Sequence, residues 1–226
     1  MILLSTAQVM RGCDVELAEH YNAFITEMLS ELFSAGYYNE QKRAMTEFVS
    51  ADSKSISGPK SRLINPGHAI EGAWFIMAEA LYRKDDAMLK KALNIIEWSM
   101  ESGWDKECGG LYSFIDIEGK PAEQLEWDMK LWWPQTEGII ANVLAWRITG
   151  DEKYKTWFEM LHSYAFEHFC DDEHGEWYGY LHRDGSVSNT LKGNLFKGPY
   201  HLPRMLILSS ELLLGNAPVV SSLLNI

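Results

Sequence analysis

A chain of 226 residues, 46% hydrophobic and 23% charged, is long enough for one large domain with a substantial core, and it carries a net charge of −12. That acidity argues against a nucleic-acid partner, because a phosphate backbone needs a basic face and the one basic run, Lys192 to Arg204, is too short to reverse the balance. Cys13, Cys108 and Cys170 make no C-x-x-C pair, which argues against a disulfide framework or zinc knuckle and fits a reduced, cytoplasmic setting; no apolar run approaches the roughly 18 residues a bilayer needs, and the first residues lack the basic region of a secretory signal.

Residues 1–10 read as a helix of the buried type and residues 15–33 as a two-faced one. Residues 45–49, followed by a polar loop, read as a strand segment. Asn65-Pro66-Gly67-His68 then introduces a helix over 69–82, whose central run 73–78 is apolar on every side, as in a helix covered all round by protein. The helix over 86–102 differs. Met88, Leu89, Ala92, Leu93, Ile96 and Met100 form one stripe, opposite Lys90, Lys91, Asn94, Glu97 and Glu101. Residues 109–116 read as a hairpin.

The series then repeats. Trp133-Pro134-Gln135-Thr136-Glu137 leads into an apolar helix over 138–148, a two-faced helix over 154–169 and a second hairpin over 176–185. Gly198-Pro199-Tyr200-His201 begins a third copy, with an apolar helix over 205–214. Pro66, Pro134 and Pro199 lie 68 and then 65 residues apart, a period that marks repeated helical units. Alternating buried and half-buried helices describe an inner ring inside an outer ring, so the expected fold is an all-α toroid of about seven helices with short hairpins. Counted backwards, the period puts a further proline just before Met1, so the toroid is expected to be incomplete at its front.

Each unit presents a polar group at the same end, so His68, Glu137 and His201 are expected to converge. His68 and Glu71 share a helix face, and a carboxylate on an otherwise apolar helix needs a partner. Pro203 is expected to start the last helix, leaving His201 in the loop before it and Arg204 as the cation ahead of an apolar stretch. Glu137 is expected to open its helix, where the dipole favours a negative charge. Trp132 and Trp133 could stack on a sugar ring or simply pack, and Gln135 beside them is a further substrate-binding candidate. His174 and His182 flank the second hairpin and could overhang the mouth, whereas His20, His162 and His168 lie on outer helices. His68, Glu71, Glu137 and His201 could together make a mixed nitrogen and oxygen metal site, but no H-E-x-x-H pair accompanies them and no metal is expected.

INPGHAIEGAWF, LWWPQTEGIIA and KGPYHLPRML resemble the three signature blocks of the N-acylglucosamine 2-epimerase family, also called renin-binding proteins, in the same order over residues 1 to about 214. The resemblance implies an (α/α)6 barrel of twelve helices, with residues 1–226 as a single domain forming its C-terminal portion. Relatives supply further N-terminal inner helices, including an active-site arginine that this chain does not match. It implies an isomerase that interconverts N-acetyl-D-glucosamine and N-acetyl-D-mannosamine in sialic acid metabolism. Catalytic His68 and His201 would act as bases on opposite faces of C2, each with an unperturbed pKa of about 6.5 suited to the task. Arg204 would stabilise the enediolate oxygen, Glu71 and Glu137 would orient hydroxyls or tune the histidines, and Trp132 and Trp133 would line the pocket. No cofactor is required by that chemistry; ATP as an activator and a homodimer follow from the family. The alternatives are an aldose–ketose isomerase or cellobiose 2-epimerase of the same superfamily, a truncated barrel acting as an interaction module, and a glycoside hydrolase using Glu71 and Glu137, which would leave the histidine blocks unexplained.

Overall fold

The computed structural model describes residues 1–50 and 56–215. Among these, seven α-helices form: α1 (Ile2–Cys13), α2 (Ala18–Ser34), α3 (Pro66–Arg83), α4 (Asp86–Gly103), α5 (Trp132–Thr149), α6 (Glu152–His168) and α7 (His201–Leu213). Local chemistry sets several ends. Asn65 accepts a hydrogen bond from the His68 N–H, Pro66 takes the first helical position, and Asp85 caps α4 by accepting from Met88. Lys84 and Gly150, both left-handed, stop α3 and α5.

The helices lie in two layers. α3 packs on α5 and α5 on α7, while α2, α4 and α6 lie against α1, α3 and α5 respectively. α3 and α5 are buried nearly all round, and Ile70, Trp74, Met77, Ile139, Ile140 and Leu144 belong to one continuous core. The outer α4 buries Ala92, Ile96 and Met100 and leaves Glu97 and Glu101 to surface pairs with Lys153 and Arg43. Among the described residues no helix is long and apolar enough to cross a membrane.

Four expectations need correction. α1 and α7 are not covered all round: Ile2, Leu3, Leu206 and Ile207 are exposed, because each of these helices meets an inner neighbour on one side only among the described residues. α5 begins six residues ahead of Gly138, and α7 begins at His201 itself. Both run through a proline, Pro134 or Pro203, at the third helical position. A first-turn N–H has no intrahelical acceptor, so proline there costs no hydrogen bond. Glu137 is therefore not at the helix start but in its second turn.

The strands also pair differently. Tyr38–Asn39 (β1) pairs with Ala44–Met45 (β2), so of the strand segment expected over residues 45–49 only Met45 lies in a strand. The polar loop after Val49 lies partly outside the described residues. Leu63–Ile64 (β3) pairs with Ile115–Asp116 (β4), and Lys130–Leu131 (β5) with Tyr180–Leu181 (β6), all antiparallel. The segments 109–116 and 176–185 thus join the strand that enters the inner helix of their own unit, and each pair closes a strand–helix–helix–strand module. Asp184-Gly185 does turn the chain, but its return arm is Ser186–Ser188, with His182 N–H on Ser186 and Ser188 N–H on Tyr180.

Buried polar contacts fix the modules to one another. Gln135 donates to the Leu111 and Leu131 carbonyls and accepts from the Leu111 N–H, clamping the loop after α4 onto α5. Asp105 in that loop receives Lys130 at 3.0 Å and Arg183 at 2.8 Å. Glu79 on α3 takes a two-pronged bond from Arg11 of α1 at 2.8 and 2.9 Å, with Arg83 and Gln8 adding to it. Burial opposes the Glu79 charge, but these donors outweigh it and hold its carboxyl below the usual range.

Candidate active site

The cap at Asn65 and the turn of Pro66-Gly67 deliver His68 at the third residue of α3, where its side chain is 42% exposed. Gly67 is required by space. A Cβ there would lie 2.6 Å from the Trp133 indole and 3.0 Å from Pro134. With no side chain at Gly67, Trp133 of α5 comes down beside α3, and its ring centroid lies 5.0 Å from His68 and 5.7 Å from His201. The indole therefore stacks, tilted, against both imidazoles. The Nδ1 of His68 lies 3.1 and 3.2 Å from the two oxygens of Glu47.

Glu71 and Glu137 are each the sixth residue of an inner helix, so the packing of α3 on α5 brings them together. Arg204 of α7 sits between them, with Nη2 2.6 Å from Glu71 Oε1 and 2.7 Å from Glu137 Oε1. It also donates to the Tyr200 hydroxyl at 2.7 Å. Glu137 is fully buried: its Oε1 is 2.8 Å from His201 Nδ1, and its Oε2 accepts from the Trp74 indole at 2.8 Å. Burial, then the neighbouring Glu137 charge, raises the Glu71 carboxyl above its ordinary range against the pull of Arg204. For Arg204, burial works against the charge, but Glu137 and Glu71 overcome it and hold the guanidinium firmly protonated.

A cavity of about 350 Å³ opens over this group, lined by His68, Glu71, Trp132, Trp133, Tyr200 and His201, with Phe196 and the start of α1 at its margin. Its size falls within the range of small-ligand pockets, about 300–1,000 Å³. Of the residues singled out in the sequence, His68, Glu71, Trp132, Trp133 and His201 thus reach one cavity. Trp132 is buried, edge-on to His201 and Tyr180. Glu137 and Arg204 stand behind the wall. Arg204, expected to face an enediolate oxygen, commits its guanidinium to Glu71, Glu137 and Tyr200 instead. Gln135, expected to bind substrate, is buried away from the cavity and its amide is used on backbone. His174 and His182 are exposed and do not line the cavity.

Glu71, Glu137 and His201 bring ligand atoms within 4.8 Å of one another, the donor set of a metal site. The Arg204 guanidinium is already seated against both carboxylates, so their negative charge is met by a resident side-chain cation.

Sequence reading missed Glu47, Trp74, Tyr200 and Phe196. Glu47 follows a short strand with no motif around it, and its partner is 21 positions away. Trp74 lies in an apolar run and reads as core. Tyr200 and Phe196 stand within the third signature block or just before it, and their aromatic rings next to His201 were the signal that could have found them.

Two imidazoles on one cavity, each with Nδ1 against a carboxylate, are a pair of acid/base groups whose Nε2 atoms remain for chemistry. A family model described as N-acylglucosamine 2-epimerase (GlcNAc 2-epimerase) matches residues 5–203. The chain is 39% identical over 217 residues to the N-acylglucosamine 2-epimerase of Bos taurus, covering 94% of this chain and 50% of that protein. It is 36% identical over 229 residues to that of Rattus norvegicus, covering 98% and 54%. The chain therefore spans about half the length of the curated relatives it matches. Among solved structures, a sugar epimerase from a ruminal bacterium superposes with a TM-score of 0.75 at 18% identity, over 94% of this chain and 52% of that one, which is a likeness of fold.

Proposed function

The chain belongs to the N-acylglucosamine 2-epimerase family, and on that footing we propose that it carries the two-histidine half of a sugar 2-epimerase that interconverts N-acetyl-D-glucosamine and N-acetyl-D-mannosamine. The sugar enters as its open-chain aldehyde. One imidazole takes the C2 proton, the C–H electrons form a C1–C2 double bond, and the C1 carbonyl electrons move onto O1, giving an enolate that keeps the acetamido nitrogen on C2. The opposite imidazole, as its cation, returns a proton to the other face. The carbon ends at its original oxidation level, so the proton transfer needs no redox cofactor.

The observation that carries this reading is the placement of His68 and His201 both against Trp133, both lining one cavity and both backed by a carboxylate. Trp133 and Trp132 supply the apolar floor, and Glu71 at the wall orients hydroxyls. Arg204 serves the reaction by fixing Glu71 and Glu137 in place. Identities of 36–39% to N-acylglucosamine 2-epimerases support an N-acylated amino sugar over mannose or cellobiose as substrate. The two helical layers are read as part of an (α/α)6 toroid, with residues 1–226 as one domain in its C-terminal portion. The fold likeness and half-length coverage support that. A homodimer and activation by ATP come with the family resemblance and rest on it, and a cytoplasmic setting rests on the spacing of the three cysteines.

The test is proton NMR in deuterium oxide with N-acetylglucosamine, mannose and cellobiose as parallel substrates. Deuterium entering C2 of the N-acetylated sugar, with its epimer accumulating, is the expected result. Turnover of mannose or cellobiose alone would overturn the assignment.

A further inference from the structure

We propose that Glu47 is the positioning residue for His68, so that each face of the sugar is served by its own histidine–carboxylate pair; this rests on the two-base reading above. His68 is 42% exposed and, among the described residues, its ring leans on Trp133. A stacked ring can still turn about its own bond. The contact that stops it is Glu47, whose two oxygens straddle Nδ1 at 3.1 and 3.2 Å.

The carboxylate is delivered by backbone. Thr46 N–H bonds to the Tyr37 carbonyl at 3.0 Å, and Glu47 N–H bonds to the Leu63 carbonyl at 3.1 Å. Leu63 belongs to β3, which runs through Ile64 to Asn65, the cap of the helix carrying His68. Donor and acceptor thus hang from two sides of one backbone junction, and their separation is set before any substrate enters. A carboxylate that accepts Nδ1–H fixes the tautomer and turns the Nε2 lone pair away from itself. His201 repeats the arrangement with Glu137 at 2.8 Å. Glu137 is buried and also holds Arg204 and Trp74, whereas the Glu47 side chain is 22% exposed. Glu47 can therefore be replaced with little disturbance to the core.

The experiment uses the full chain with ¹⁵N-labelled histidine and the variants Glu47→Gln and Glu47→Asp. His68 resonances are assigned by their loss in His68→Asn. Glu47→Gln should shift the His68 ring nitrogens and lower kcat by about 10- to 100-fold with KM within about two-fold, and Asp should recover part of the rate. Weakening one base lets the enolate return to the epimer that the other base deprotonates. In deuterium oxide the ratio of C2 exchange to inversion should therefore rise for one starting epimer only. Unmoved His68 nitrogens, an unchanged kcat, or an equal ratio from both epimers would each overturn the role of Glu47. Absence of exchange in the unmodified chain would count against the epimerase reading instead, and the nitrogen shifts would still decide whether Glu47 holds His68.

Discussion

The imidazole of His201 meets the carboxylate of Glu137 at 2.8 Å, although 64 positions separate them in the chain. One sits on the first residue of α7 and the other in the second turn of α5, so the contact exists only because the two inner helices pack together. His68, which also lies against Trp133, finds Glu47 on the segment after β2.

Removing either ring should stop the proposed chemistry and spare the fold. His68→Asn and His201→Asn are each expected to lower epimerisation by about 10²- to 10⁴-fold, the span of a lost general acid or base, with C2 exchange surviving only from the epimer that the remaining imidazole deprotonates. Circular dichroism should show unchanged helix content. Near-normal epimerisation in both variants would sink the two-base scheme.

Arg204→Met leaves two buried carboxylates facing each other without their cation, which should destabilise the protein by about 3–5 kcal/mol. The sign of the pH effect follows from Glu71, whose carboxyl is raised by burial and by Glu137. Above the unfolded value of about 4.3, the folded state keeps a proton that the unfolded state has lost. Stability from this group therefore falls as pH rises through that window. The variant widens the window, so urea midpoints should gain more from acidification in Arg204→Met than in the parent.

Glu79 should act in the opposite sense. Although burial opposes its charge, Arg11, Arg83 and Gln8 hold its carboxyl below the usual range. Its contribution is fully present above about pH 4.3 and fades as pH falls through the lower folded value. Arg11→Met should cost about 3–5 kcal/mol and move the acid-unfolding midpoint upward, as read by tryptophan fluorescence against pH.

Gly67→Ala tests the seat of Trp133. The new Cβ would stand 2.6 Å from the indole, so the ring must shift. Overpacking of this kind costs about 1–3 kcal/mol. Near-ultraviolet circular dichroism should change, and activity should fall more than stability explains, because Trp133 touches both histidines.

Gln135→Ala separates packing from binding. It removes the clamp on Leu111 and should cost about 1–3 kcal/mol of stability while leaving KM for the sugar unchanged. A raised KM in the folded variant would return Gln135 to the substrate.

The layers were legible because burial leaves a periodic trace. Ala73–Ala78 is apolar on every face, Gly138–Ala145 is apolar but for the buried Asn142, and the one-sided stripe of α4 tells inner from outer without coordinates. The Asn-Pro-Gly-His start was legible for the same kind of reason, since a cap and a first-turn proline act on their immediate neighbours. A single local signal is not decisive where the tertiary structure competes with it. Proline favours the first turn of a helix without marking its first residue, and Pro134 and Pro203 lie at third positions. Gln135, polar and next to two tryptophans, looked like a ligand of the substrate, but the backbone of Leu111 had the prior claim on its amide.

By itself the order of residues determined which helices are covered and which meet water, where the inner helices carry ionisable groups, and that two histidines and two tryptophans belong to the ends of those helices. Hydrophobic periodicity and capping are interactions among near neighbours, so they are written in the chain. Only the tertiary structure decided that Glu47 backs His68, that Arg204 is held between Glu71 and Glu137, and that β3 pairs with β4. Those partners lie 21 to 133 positions apart, and contacts of that kind arise from how separate helices and strands come together, which no local pattern encodes.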